Sequence, residues 1–94
     1  MIMIKSFQHK GLKLLFEEDD RRKVSAEHVD RLKLILSTLD VADSVEDMEQ
    51  PTFRLHQLKG NLQGFWAVTV RANWRIIFRF ADGDAYDVDL IDYH

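Results

Sequence analysis

Cysteine is absent from this chain of 94 residues, which excludes a disulfide framework and every thiolate metal site and makes a reducing cytoplasm the expected compartment. Long apolar runs are missing as well. The opening MIMI is four apolar residues before Lys5, far short of a signal peptide's apolar region or a membrane span, so no membrane partner is expected. Proline occurs once, at Pro51, and no repeat or low-complexity tract interrupts the chain; residues 1–94 are expected to form a single domain. The four histidines, His9, His28, His56 and His94, lack the i, i+4 spacing of a helical zinc pair, and neither a metal nor another cofactor is expected.

What is present is a sequence 46% apolar and 11% aromatic, enough for one packed core. The net charge of −3 would argue against a polyanionic partner if it were evenly spread. It is segregated. Residues 1–50 hold eight Lys/Arg and eleven Asp/Glu, residues 51–81 hold five basic residues and no acid, and residues 82–94 hold five Asp and no base. A basic block, Arg54, Lys59, Arg71, Arg75 and Arg79, is wedged between acidic ones.

The pattern predicts an α+β layout. IMIKSF reads as a short first strand, and Leu12, Leu15 and Phe16 at helical spacing predict a helix near residues 9–18. Ser25 offers an N-cap to a stronger helix in which Val29, Leu32, Leu36 and Leu39 form one apolar stripe with Ile35 beside it. Ser44 and Asp47 suggest a further short turn of helix. His9 and His28 read as solvated helix residues. From Phe53 onward the period changes to two: Trp66, Val68 and Val70 share a face, as do Trp74, Ile76, Phe78 and Phe80, and Tyr86, Val88 and Leu90. Helices then pack on a curved antiparallel sheet of four to five strands.

Register follows from keeping that apolar face intact. Pairing Phe78 with Val88, Ile76 with Leu90 and Val70 with Trp74 predicts three-residue connections at 71–73, with Asn73 left-handed, and at 82–84, or five-residue ones in the same register. Trp66, Trp74, Ile76, Phe78, Val88 and Leu90 are the expected sheet side of the core. Arg75, Ile77 and Arg79 fall on the other face, with Asp87 placed to pair with Arg79, so cross-strand charge pairing is one reading of part of the basic block and a shared cleft with the terminal triplet is the other. Asp92 falls opposite Trp74, and the terminal DYH would bring an acid, a phenol and an imidazole beside Arg75. In RLHQLKG, residues 54–60, Arg54 and His56 share one face of a strand and Lys59 sits by the Gly60 turn; a lone histidine beside an apolar residue is commonly structural, and spacing alone does not assign it a role.

Taken together, IKSFQHKGLKLLFE, RLHQLKG, VRANWRIIFRF and the terminal DYH resemble, over essentially the whole chain, the HigB toxins of the RelE/ParE toxin–antitoxin superfamily. The resemblance implies two to three N-terminal helices on the sheet and a ribosome-dependent mRNA endonuclease that inhibits translation. Its implied partners are a HigA-like helix-turn-helix antitoxin, the ribosome and mRNA, with DNA met only through the antitoxin. Carried over residue by residue, the implied catalytic positions are His56, Asp92, Tyr93 and His94, with Lys59, Arg71 and Arg75 on RNA phosphates. Cutting RNA without metal requires deprotonating a 2′-hydroxyl, protonating the leaving 5′-oxygen and stabilising the phosphorane charge, work suited to imidazoles, a carboxylate and cations; Tyr93 can orient a group or stack on a base. Two alternatives are a ParE-like gyrase poison and a non-enzymatic antitoxin-binding module. The charged EEDDRR segment is an expected antitoxin docking surface.

Overall fold

The apolar stripe that period 3.6 picks out becomes the inner face of the longest helix. The computed structural model describes residues 3–92; Tyr93 and His94 lie outside the described residues. Helix α1 spans Lys10–Glu18, and α2 spans Val29–Val41 after a 3₁₀ turn at Ala26–His28. Val29, Leu32, Ile35, Leu36 and Leu39 of α2 are all buried, as the stripe requires. Leu12 and Leu15 of α1 join them. A second 3₁₀ turn covers Val45–Met48, matching the helical turn expected there. Strands β1 (His56–Gln57), β2 (Phe65–Arg71), β3 (Trp74–Ala81) and β4 (Asp84–Asp92) form one antiparallel sheet in the order β1-β2-β3-β4.

IMIKSF does not form a strand of its own. Within its described part, Ile4 and Phe7 make isolated parallel bridges to Ala85 and Val88, so the segment lies along the outer edge of β4 and closes the edge that strand would otherwise expose. Arg31 holds the other flank: its guanidinium donates to the carbonyls of Thr52 and Thr69 at 2.8 and 3.0 Å and lies 5.0 Å from the Phe53 ring centroid.

The register comes out largely as the apolar face demands, by a different device. Ile76 pairs Leu90, Trp74 pairs Asp92, and Trp66 and Val68 pair Phe78 and Ile76. Both connections are two-residue turns, not three: Arg71 pairs Trp74 and Ala81 pairs Asp84. A β-bulge in each hairpin takes up the odd residue, between Thr69 and Arg71 on β2 and opposite Phe78 on β4. Asp87, the extra residue on β4, has φ 54°. Ser6 and Gln8 hold it there, with the Asp87 N–H donating to Ser6 Oγ at 2.8 Å and Gln8 Nε2 donating to Asp87 Oδ1 at 3.1 Å. Asp82 and Gly83 both have positive φ, the geometry of a type I′ turn, for which Asp-Gly is well suited. In the other turn the left-handed residue is Ala72, φ 51°, not Asn73.

Further expectations are corrected. Trp74 is not core: it is 36% exposed, because it starts β3 beyond the cover of α2. Trp66 and Leu90 are only half-buried at the edge of the core, whereas Ile76, Phe78 and Val88 are fully buried. His28 is 5% exposed, since the Ala26–His28 turn tucks it against Trp74, their ring centroids 5.9 Å apart. His9 caps α1, its Nδ1 accepting the Leu12 N–H at 3.1 Å, and Ser25 makes no side-chain cap.

The acidic loop after α1 is tied to its surroundings. Lys33 Nζ reaches Asp19 Oδ1 at 2.9 Å, joining α2 to the end of α1, and that ammonium holds the Asp19 carboxyl below its ordinary value. Arg22 grips Asp20 through Nε and Nη2 at 3.0 and 2.9 Å, and this hydrogen bonding lowers the Asp20 carboxyl to about 2. A depressed carboxyl contributes stability that is present above its unfolded value and lost as pH falls through the folded one. The clasp should therefore hold at pH 4 and open towards pH 2. Titration of the Asp20 carboxyl carbon by NMR checks it: Arg22→Ala should return the midpoint towards the ordinary 3.8.

Candidate functional site: one face of the sheet and its open end

Alternation along antiparallel strands sorts the basic block onto faces. His56 pairs Ala67, which pairs Ile77, which pairs Asp89, and directly opposed residues share a face. The row runs across the side of the sheet away from α2. The next row towards the hairpin end is Thr69, Arg75 and Ile91. His56 and Arg75 thus share a face, two strands and two residues apart, about 12 Å between Cα atoms at ordinary strand spacings. Leu58, Ala67 and Ile77 form a small buried cluster on this face, edged by Leu62, Phe65 and Ile91, so the polar groups stand on a firm apolar floor.

The histidine is set chemically as well as spatially. His56 Nδ1 lies 3.0 Å from the Arg54 carbonyl oxygen. A carbonyl only accepts, so this bond requires the proton on Nδ1, which leaves Nε2 of the neutral ring as a basic nitrogen. Arg54 itself has φ 52°, and that left-handed kink comes immediately before β1. The His56 ring is exposed, as a group meeting an outside substrate must be.

The cations divide between two ends. Arg75 Nη1 donates to the Ala72 and Trp74 carbonyls at 2.6 and 3.1 Å, so Arg75 also braces the turn that precedes it. Arg71 Nη1 stands 3.6 Å from Glu27 Oε2, which ties the same turn to the approach of α2. Arg79 pairs with Asp87 at 3.5 Å, the cross-strand pairing expected of it, although its register partner is Tyr86. Lys59 is exposed on the connection between β1 and β2. It lies at the other end of that hairpin from Arg71 and Arg75, because Leu58 N–H bonds Phe65 O at 2.9 Å while the Arg71 end of β2 runs the opposite way. Gly60, φ 68°, makes the bend after Lys59 with a backbone that side chains disfavour.

Asp92 pairs Trp74 at the open end of the sheet, and the alternation of β4 assigns it the face of Leu90 rather than that of Arg75. An acid on the face of His56 is Asp89, which accepts the Leu90 N–H at 2.8 Å. It was legible in the alternation of DVDLID but carries no distinguishing residue type. Tyr93 and His94, expected beside Arg75, fall outside the described residues. The described structure thus brings His56, Arg75 and Asp89 onto one face, sets Arg71 and Asp92 at its open end, and places Lys59 at the far end.

Comparison with known proteins turns this geometry into a family. A model of the RelE-like toxin of the type II toxin–antitoxin system HigB matches residues 5–94. The chain belongs to the HigB-like toxins. It is 50% identical over 92 residues to an endoribonuclease HigB of Proteus vulgaris, covering 98% of this chain and all of that one. It is 31% identical over 90 residues to toxin HigB-1 of Vibrio cholerae, covering 94% and 95%. Among solved structures, a point mutant of YafQ from E. coli superposes with TM-score 0.57 at 19% identity over 95% of this chain and 89% of that one. A YoeB/ParE toxin from Agrobacterium tumefaciens gives 0.51 at 13% over 100% and 99%. These two structures agree with the RelE-like fold of helices on an antiparallel sheet. As a HigB-like toxin of a toxin–antitoxin pair, the protein has an antitoxin for a partner. Among the described residues, no helix is long and apolar enough to cross a membrane.

Proposed function

We propose that this HigB-like toxin is an endoribonuclease that cuts messenger RNA on the ribosome, in the cytoplasm, by metal-independent attack of a ribose 2′-hydroxyl on the adjacent phosphate. The observation that carries the activity is the 50% identity, over nearly the whole chain, to an endoribonuclease of the same family. The chemistry is supported by residue types and placement. His56 Nε2, left basic by the Nδ1 contact with Arg54, takes the 2′-hydroxyl proton as general base. His94 protonates the departing 5′-oxygen, with Asp92 and Tyr93 orienting the terminal imidazole and the base beside the cut. Arg75 and Arg71 stabilise the phosphorane at the open end. Lys59, at the far end of the same hairpin, contacts a neighbouring phosphate of the strand. The whole-chain charge of −3 disfavours long-range capture of RNA, so the local basic block and the ribosome supply the encounter.

A helix-turn-helix antitoxin of the HigA kind holds the toxin inactive. The segment 17–22, the last residues of α1 and the turn after it, is its proposed docking surface. Arg22 is already engaged with Asp20 there, so Arg21 is the better position for a charge-reversal test. Ribosome dependence is tested by incubating the purified protein with one mRNA, free and then bound to programmed ribosomes. Cleavage should be confined to, or strongly favoured by, the ribosome-bound message. Equal cutting of free and bound RNA would remove the ribosome from the reading and leave the nuclease.

A further inference from the structure

Between the first turn of α1, the turn preceding α2 and the start of β3 lies a cavity of about 310 Å³, lined chiefly by His9, Lys23, Ser25, Glu27, His28 and Trp74. None of these takes part in the proton transfers above. Its construction is specific. Trp74 is 36% exposed while its indole stands 5.9 Å from the buried His28 ring, tilted by 59°, so a large flat apolar surface is presented and braced at once. Glu27 joins the cavity to the open end of the sheet: Oε1 lies 3.7 Å from His28 Nε2 and Oε2 lies 3.6 Å from Arg71 Nη1.

The wall formed by α1 closes only because residue 11 is glycine. A Cβ there would stand 2.8 Å from His9 Cε1 and 2.8 Å from the Lys23 carbonyl oxygen, closer than such atoms approach. The His9 ring is turned by its cap bond, Nδ1 accepting from Leu12, so the proton of the neutral ring sits on Nε2. At the mouth, Trp74 faces Asp92 across the β3–β4 pair.

We propose that this cavity receives one unpaired base of the RNA, from the nucleotide next to the cleaved linkage. The inference rests on the nuclease reading and adds to it the place where the strand is gripped. The volume is near the lower end of small-ligand cavities, roughly 300–1,000 Å³, and gives room for a flat heterocycle. A base offers a π-face for Trp74 and a mixed donor and acceptor edge for the imidazoles, Ser25 and Glu27, the mode in which proteins read splayed-out RNA. Lys23 and Arg71 flank the cavity and would meet the phosphates on either side of that base.

The test uses the full chain carrying Trp66→Phe, so that Trp74 is the single tryptophan, and a short unstructured RNA with 2′-fluoro riboses, which cannot be cut by 2′-hydroxyl attack. Titration at low salt should quench Trp74 emission on saturation. Read by the anisotropy of the same RNA carrying a fluorescent label, Trp74→Ala should weaken binding about 5- to 150-fold, the usual worth of one base–aromatic stack, and Trp74→Phe should restore most of it. Unchanged emission at saturation, or equal affinity in Trp74→Ala, overturns the base pocket. Absence of binding also overturns it, and cleavage of ribosome-bound mRNA by the same sample would then leave the nuclease reading standing. Loss of antitoxin affinity in Trp74→Ala with RNA affinity intact would assign the cavity to the protein partner and equally overturn the proposal.

Discussion

His56→Ala should slow mRNA cleavage on the ribosome by about 10²- to 10⁴-fold, the usual contribution of a positioned proton-transfer group, while the protein remains as stable as the parent. The side chain is exposed and belongs to neither buried cluster, so little packing is lost with it. What disappears is the basic Nε2 that the Arg54 carbonyl sets by claiming Nδ1–H. The loss should fall on kcat rather than KM, because the proton moves in the transition state and not in the bound ground state. Single-turnover rates on programmed ribosomes separate the two, and a variant whose KM rises at unchanged kcat would make His56 a binding group. Removal of His94 should likewise abolish cleavage and growth inhibition without lowering thermal stability. Arg75→Ala should behave otherwise, losing activity and some stability together, because Arg75 also holds the Ala72 and Trp74 carbonyls.

Phe78→Ala should destabilise the fold by about 3–5 kcal/mol, a large part of what a small domain possesses. Phe78 is fully buried. It pairs Trp66 on one side and faces the β4 bulge on the other, where Val88 and Asp87 share its single register position. A methyl in its place leaves a cavity that the neighbours cannot fill, since Ile76, Val88 and Leu36 around the sheet are themselves fully buried and held. Denaturant titration measures the change as a shift in midpoint at constant slope. A loss below about 1 kcal/mol would mean that the core collapses around the gap and that the sheet is less tightly specified than its burial implies.

The residues from Val29 to Leu39 announced their helix because five apolar side chains at period 3.6 have one sensible inner face, and all five are buried. The pairings of Ile76 with Leu90 and Trp74 with Asp92 were legible for the analogous reason in the sheet. The bulges were not. Each depends on one residue in a left-handed backbone or one unpaired position, and the β4 bulge is supported by Ser6 and Gln8 from the opposite end of the chain, a contact no local pattern encodes. The burial of His28 was hidden for a similar reason: its partner, Trp74, lies far along the chain and looked like core. On the functional side, His56 was visible as a residue type, but its basic nitrogen became definite only with the kink at Arg54. Alternation sets Asp89 on the face of His56 and Asp92 on the other, but it marks neither as functional, since both are aspartates on one strand.

The chemistry of the new RNA ends tests the central claim most directly. Attack by a 2′-hydroxyl must leave a 2′,3′-cyclic phosphate on one fragment and a 5′-hydroxyl on the other, whatever the sequence at the cut. Mapping the ends of mRNA cleaved on programmed ribosomes should find that pair, and a single 2′-deoxy substitution at the scissile nucleotide should abolish the cut. A 5′-phosphate product, or cleavage that survives the 2′-deoxy substitution, would contradict it.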